Sequence, residues 1–232
     1  MDTPLYATLL RLHLVFGGLS LVTFWWQMVA RKRGPRHRRV GQVYFLAMAG
    51  VALTAVPMTV MIGLDGRWPT ALFLGFLAWI TVAAGVSAWA AARWRQRHLA
   101  AQRRFDVAAN GGLLAISLTL LALIQVGGAL FVGLGAFGLW AAITELRRPA
   151  DDLAWRSWKV RHVGAVMGTG MAVHIAFFSF GLSRLLGDRY SAYFFLVAFA
   201  VPVLLGNWAI ARFTRPYRRS AGEGASASGV LA

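Results

Sequence analysis

Apolar residues in this chain come in long runs, not in periodic stripes. The runs at 5–30, 40–64, 70–92, 160–182 and 191–213 each approach or exceed the ~20 apolar residues that an α-helix needs to cross a hydrocarbon core of ~30 Å. A further run, 105–146, is too long for one crossing. Gly127-Gly128 near its middle supplies a reversal point, because glycine adopts the backbone angles of a tight turn at little cost. The pattern therefore predicts an all-α polytopic membrane helix bundle of seven transmembrane helices. It forms one domain, 1–215, followed by a tail over 216–232 that is basic and then Ser-, Ala- and Gly-rich, a composition expected to be disordered.

The polar positions between the runs sharpen this picture. Four segments, 31–39, 93–104, 147–161 and 212–219, hold 6, 5, 5 and 4 Lys and Arg residues, 20 of the 24 in the chain. Arg11, Arg67, Arg184 and Arg189 are the others. An Arg or Lys at the centre of a bilayer costs at least ~2.5 kcal/mol, so these clusters stay in water. Seven crossings put all four on one face, which the positive-inside rule makes the cytoplasmic one. The N-terminus is then outside and the C-terminus inside. Met1-Asp2-Thr3-Pro4 has no basic character, so the first run is expected to be an uncleaved span. The expected location is a bacterial cytoplasmic (inner) membrane, with anionic lipid headgroups as counter-charge.

Composition agrees and removes several chemistries. The chain is 58% hydrophobic and only 14% charged, against roughly a quarter charged in soluble domains. Its net charge of +16 is spread between apolar runs, so no nucleic-acid partner is implied. With no cysteine there are no disulfides, iron–sulfur clusters, thiolate metal sites or cysteine nucleophiles. HExxH, GxSxG, Walker A and desaturase-type His boxes are missing too, so neither a hydrolase nor a kinase is indicated.

Within the spans, Gly164, Gly168 and Ala172 make a small-residue row for helix packing, and Gly133, Gly135 and Gly138 let a neighbour approach closely. Pro57 is a candidate kink, Asp65-Gly66-Arg67-Trp68-Pro69 and 184–189 are outer turns, and Trp25-Trp26 lie where indoles favour the headgroup boundary.

Five histidines carry the candidate chemistry. His13 in the first span and His174 in the sixth fall at similar expected depth, as two axial ligands of a b-type haem would, giving an electron-transfer protein with a membrane redox partner or a second copy. His13, Gly17, Ser20 and Gln27 share one helical face. Buried histidines in bundles also commonly just hydrogen-bond to a neighbouring carbonyl or hydroxyl. A proton-coupled small-solute transporter using His174, and a ligand-free scaffold or assembly factor, stand beside the haem reading. On the inner face, His37, His98 and His162 with Asp106, Asn110 and Glu145 form a second candidate cofactor or proton-entry site. Asp106 also complements a helix N-terminus, and Glu145 has Arg147 and Arg148 beside it.

The segment His37-Arg38-Arg39-Val40-Gly41-Gln42-Val43-Tyr44 resembles the His-Arg-x-x-Gly-x-x-Tyr motif of a bacterial membrane-protein family classed as a domain of unknown function, number 2306. Arg161-His162-Val163-Gly164 is similar to a His-bearing stretch in that family. The resemblance implies an integral membrane protein over most of the chain and no particular activity. It expects a His where this chain has Gln102, so that either this ligand role is lost here or His98, four residues earlier, has taken it over.

Overall fold

A computed structural model describes residues 3–30, 34–149, 152–182, 187 and 192–229. The described chain is helical: α1 Pro4–Val29, α2 Pro35–Leu64, α3 Trp68–Trp94, α4 Leu99–Ala122, α5 Ile124–Leu146, α6 Leu153–Arg156, α7 Trp158–Ala176 and α8 Ala192–Gly229. A π-turn, Phe177–Gly181, prolongs α7. Among the described residues six helices are long and apolar enough to cross a membrane, and α5 contributes a shorter apolar stretch, Leu130–Leu146. Seventeen residues at 1.5 Å each span ~25 Å, the lower limit for a crossing. Between α4 and α5 the chain departs from helical geometry at two points. Leu123 leaves helical geometry (φ −100°, ψ 23°) and Gly128 takes φ 55°, ψ −145°, where a side chain would be strained.

Short breakers set the other ends. Thr3 Oγ1 accepts from the Tyr6 backbone N–H to start α1, with Pro4 in the first turn. Gly66 turns the chain at φ 79° between α2 and α3, beside an exposed Asp65–Arg67 ion pair at 3.8 Å. Asp152 Oδ1 accepts from the Trp155 N–H and opens the single turn α6.

Contacts at successive depths show that the long helices alternate in direction. His13 meets Thr54, and Gln27 meets Gly41 (α1 and α2). Ser87 meets Asp106, and Trp79 meets Ala109 (α3 and α4). Gly135 lies on Leu121 and Gly138 on Ser117 (α4 and α5), so the Gly127-Gly128 region is the bend of a helical hairpin. His162 meets Ala88 and Gly168 meets Ala84 (α3 and α7), while Met171 meets Gly206 and Lys159 stacks on Tyr217 (α7 and α8). The described basic segments therefore gather at one end of the bundle. Arg31, Lys32 and Arg33 lie outside the described residues, as do Asp151 and all of the 184–189 turn except Gly187.

The bundle is apolar outside and partly polar within. Leu46, Leu53, Val60, Leu118, Leu204 and Trp208 are exposed around its waist, whereas Ser20, Thr23, Thr54, Ser117 and Thr169 are buried. Each of those hydroxyls donates to a carbonyl three or four residues back, which satisfies it without water. Such a distribution suits lipid contact. Close packing puts large rings against glycine: Phe16 on Gly50, Trp79 on Gly112 and Phe24 on Gly170. Of the α7 row, Gly168 packs on Ala84 as expected, but nothing packs on the Gly164 Cα, which instead lines a cleft. Helix α8 runs through Pro202 and Pro216 to Gly229, over most of the tail that composition marks as disordered.

Candidate functional site: a cleft at the basic end

A cavity of about 600 Å³ opens between the α4–α5 hairpin and the α7–α8 pair, with α3 as its floor. That volume is within the range of small-molecule sites, roughly 300–1,000 Å³. Most of the lining is apolar, and its polar groups collect toward the basic end, with Asp106, Asn110, Glu145 and Arg161 among them.

Asp106 lies two helical turns inside α4 and accepts from Ser87 Oγ of α3 at 2.7 Å and from the Trp155 indole. No Lys or Arg nitrogen pairs with its carboxylate within 4 Å among the described residues, although Arg103, Arg161 and Glu145 lie within electrostatic reach. Asn110, one turn on, donates to the Asp106 carbonyl at 2.8 Å. Glu145 is taken up by Arg148 at 2.6 Å, and Arg148 also reaches Asp152 at 3.5 Å.

Arg161 is the most enclosed cation here, with 9% exposure. One terminal nitrogen donates to the carbonyls of Trp155 (2.7 Å) and Arg156 (3.1 Å). The other donates to the Arg95 carbonyl (2.6 Å) and Gln102 Oε1 (3.3 Å). Its Nε is buried and has no hydrogen-bond partner. The guanidinium lies 4.8 Å from the centre of the Trp155 ring, and Arg103 approaches the same ring at 5.7 Å. Cation–π contact of this kind is worth ~0.5–2 kcal/mol. The α6 turn thus pins α3, α4 and α7 together at the mouth of the cleft.

Of the inner-face candidates, the structure brings Asp106, Asn110 and Glu145 to the cleft and leaves the histidines out of its lining. His98 is exposed, occupies the N-cap position of α4 in a left-handed conformation and meets Trp94 edge to face. Gln102 is itself buried, donating to the Arg97 carbonyl while accepting from Arg161. His162 Nδ1 donates to the Ala88 carbonyl at 3.1 Å and rests between Phe45 and Trp158. His37 sits half-buried in the first turn of α2.

The two membrane-depth histidines have separate surroundings. His13 Nδ1 donates to Thr54 Oγ1 at 2.9 Å, since the Thr54 hydroxyl proton goes to its own helix. It edges a cavity of about 90 Å³ that α7 closes with Ala172, Val173 and Ala176. His174 does not line that cavity. Its Nδ1 donates to the Gly170 carbonyl at 2.7 Å, and its Nε2 accepts from the Trp25 indole at 2.9 Å, with Phe24 and Phe178 on the ring. Both nitrogens are therefore engaged, and iron ligation would require Trp25 to leave. Among the described residues no three His, Asp or Glu side chains are placed to hold a metal ion.

No family model, curated protein or solved structure matches this chain. The site stands on its geometry alone. Sequence reasoning had counted Arg161 as one more loop charge and Trp25 as a headgroup anchor. The one local signal for Arg161 was its place beside His162, at the boundary where α7 becomes apolar.

Proposed function

We propose that this protein is a seven-span protein of a bacterial cytoplasmic membrane, N-terminus outside, that moves a small solute through the basic-end cleft together with a proton carried by Asp106. Support for the crossings comes from the six apolar helices, the α4–α5 hairpin and the gathering of described basic segments at one end. Support for the activity comes from one observation: an ionisable carboxyl facing a roomy cleft inside an apolar bundle, held by Ser87 and Trp155 without an ion-pair partner. Intramembrane acids of this kind are characteristic of proton relays. The groups that face it are Glu145 from α5, Arg103 from its own helix and Arg161 from α7.

Dicyclohexylcarbodiimide, which attacks protonated carboxyl groups in apolar surroundings, tests this reading. Mass spectrometry of the reconstituted protein should find the adduct on the Asp106 peptide, with labelling falling as pH rises. Asp106→Asn should lose that adduct and the proton flux into dye-loaded liposomes. An Asp106 that is never modified, or a variant with unchanged flux, ends the proposal.

A further inference from the structure

The cleft is long as well as roomy. Its lining runs from Phe137 to Arg148 along α5 and from Phe199 to Arg218 along α8, ~17 and ~28 Å at 1.5 Å per residue. Chemistry changes along that length. Arg148, Arg161 and Arg218 stand at the basic end, while Phe76, Leu113, Phe137, Phe199 and Val203 line the remainder. The wall between α5 and α8 is thin: among the described residues Phe199 joins the two helices, touching Phe137 at 6.1 Å between rings and facing Gly133. Trp140, 57% exposed, lines the cleft and reaches the outer surface.

Charge complementarity decides the sign of the ligand. Glu145 is already neutralised by Arg148, and Arg218 leans on the Thr214 hydroxyl. Arg161 donates only to neutral oxygens, its buried Nε makes no hydrogen bond among the described residues, and the acid that acts on it, Asp106, lies beyond ion-pair distance. When Asp106 is protonated the cation lacks a compensating charge, and a charge-assisted hydrogen bond to a carboxylate or phosphate would supply one.

We infer that the cleft binds an anionic amphiphile, a carboxylate or phosphate head on an acyl chain, which enters from the bilayer between α5 and α8. The head meets the Arg161 side chain, and the chain lies along Phe137, Phe199 and Val203. A protonated Asp106 admits the head, and an ionised one repels it. This inference rests on the cleft being the ligand site of the proposed function and names the class of molecule it takes.

The native lack of cysteine gives a direct assay. Ala141 lines the cleft one turn from Glu145, so Ala141→Cys places a single thiol there. Its maleimide labelling rate is measured in phosphatidylcholine nanodiscs with palmitate or methyl palmitate, and in nanodiscs containing phosphatidylglycerol. Palmitate, phosphatidylglycerol or both should slow labelling several-fold, identifying a free fatty acid or a bilayer lipid as the source, while the neutral ester should not. Arg161→Gln should remove the protection, read as the ratio of its own liganded and unliganded rates. Because Arg161 also ties helix ends together, Val203→Trp, which fills the apolar part, provides a second variant expected to remove protection. Equal protection by methyl palmitate, or protection that survives both substitutions, overturns the inference. If neither anion protects while carbodiimide still finds Asp106, the ligand class is wrong and the proton-coupled cleft stands. Loss of both signals removes the two together.

Discussion

The Trp25–His174 contact gives the sharpest quantitative test of what the intramembrane histidine does. Trp25→Phe keeps an aromatic ring in place and deletes the N–H that His174 Nε2 accepts at 2.9 Å. Trp25 is 57% exposed on the outer surface of the bundle, where lipid offers no competing hydrogen bond. Side-chain hydrogen bonds between membrane helices average ~0.6 kcal/mol in double-mutant cycles, with a maximum of ~1.7. The short distance and the second bond that orients the ring, His174 Nδ1 to the Gly170 carbonyl at 2.7 Å, place this pair in the upper half of that range. A coupling of about 1–1.7 kcal/mol is expected, roughly a 5- to 18-fold change in the folding equilibrium. The assay is a cycle of wild type, Trp25→Phe, His174→Ala and the double variant, unfolded reversibly by titrating sodium dodecyl sulfate into mixed micelles. Far-ultraviolet circular dichroism reports the folded fraction. A coupling below about 0.3 kcal/mol, the scatter expected of independent sites, would refute the account of His174 as a braced structural residue.

Three further outcomes follow from the same geometry. Single cysteines at Asp65 and Gln125 should react with an impermeant maleimide from one side of the membrane and one at His98 from the other; Gln125 labelling with His98 would make α4–α5 a re-entrant hairpin and remove both of its crossings. Gly138→Ala would put a methyl group against Ser117 Oγ and Phe76, an overpacking cost of ~1–3 kcal/mol that Ser117→Ala should partly restore; an unchanged unfolding midpoint would mean that the hairpin is packed differently. Detergent-extracted protein supplemented with haem should show no Soret band, because His174 is engaged on both nitrogens and the cavity at His13 is about 90 Å³; a band lost in both His13→Ala and His174→Ala would instead establish the haem b site.

Much of the bundle was legible in the amino-acid pattern. The all-helical class, the break at Gly127-Gly128 and the four basic segments are local properties, set by apolar length, glycine backbone freedom and the cost of arginine in lipid. Where the reversal starts was not, because hydropathy does not show that the chain leaves helical geometry already at Leu123. Asp106, Asn110 and Glu145 were legible as a group, since acids and amides near the ends of apolar runs attract notice. The surroundings of the histidines were not legible, because depth counted along a helix does not give which neighbouring helix a side chain meets. Trp25 and His174 lie 149 residues apart, and no spacing rule links them.

The order of residues by itself determined that this protein is membrane-embedded and that most of its Lys and Arg fall in four segments between apolar runs, since burying apolar length and excluding charge are sums over neighbouring residues. Only the tertiary structure decided that Phe199 joins α5 and α8, that Arg161 is enclosed with one nitrogen to spare, and that Asp106 looks into the cleft. Those outcomes depend on how far each helix is rotated and shifted, which rings against glycines settle in three dimensions.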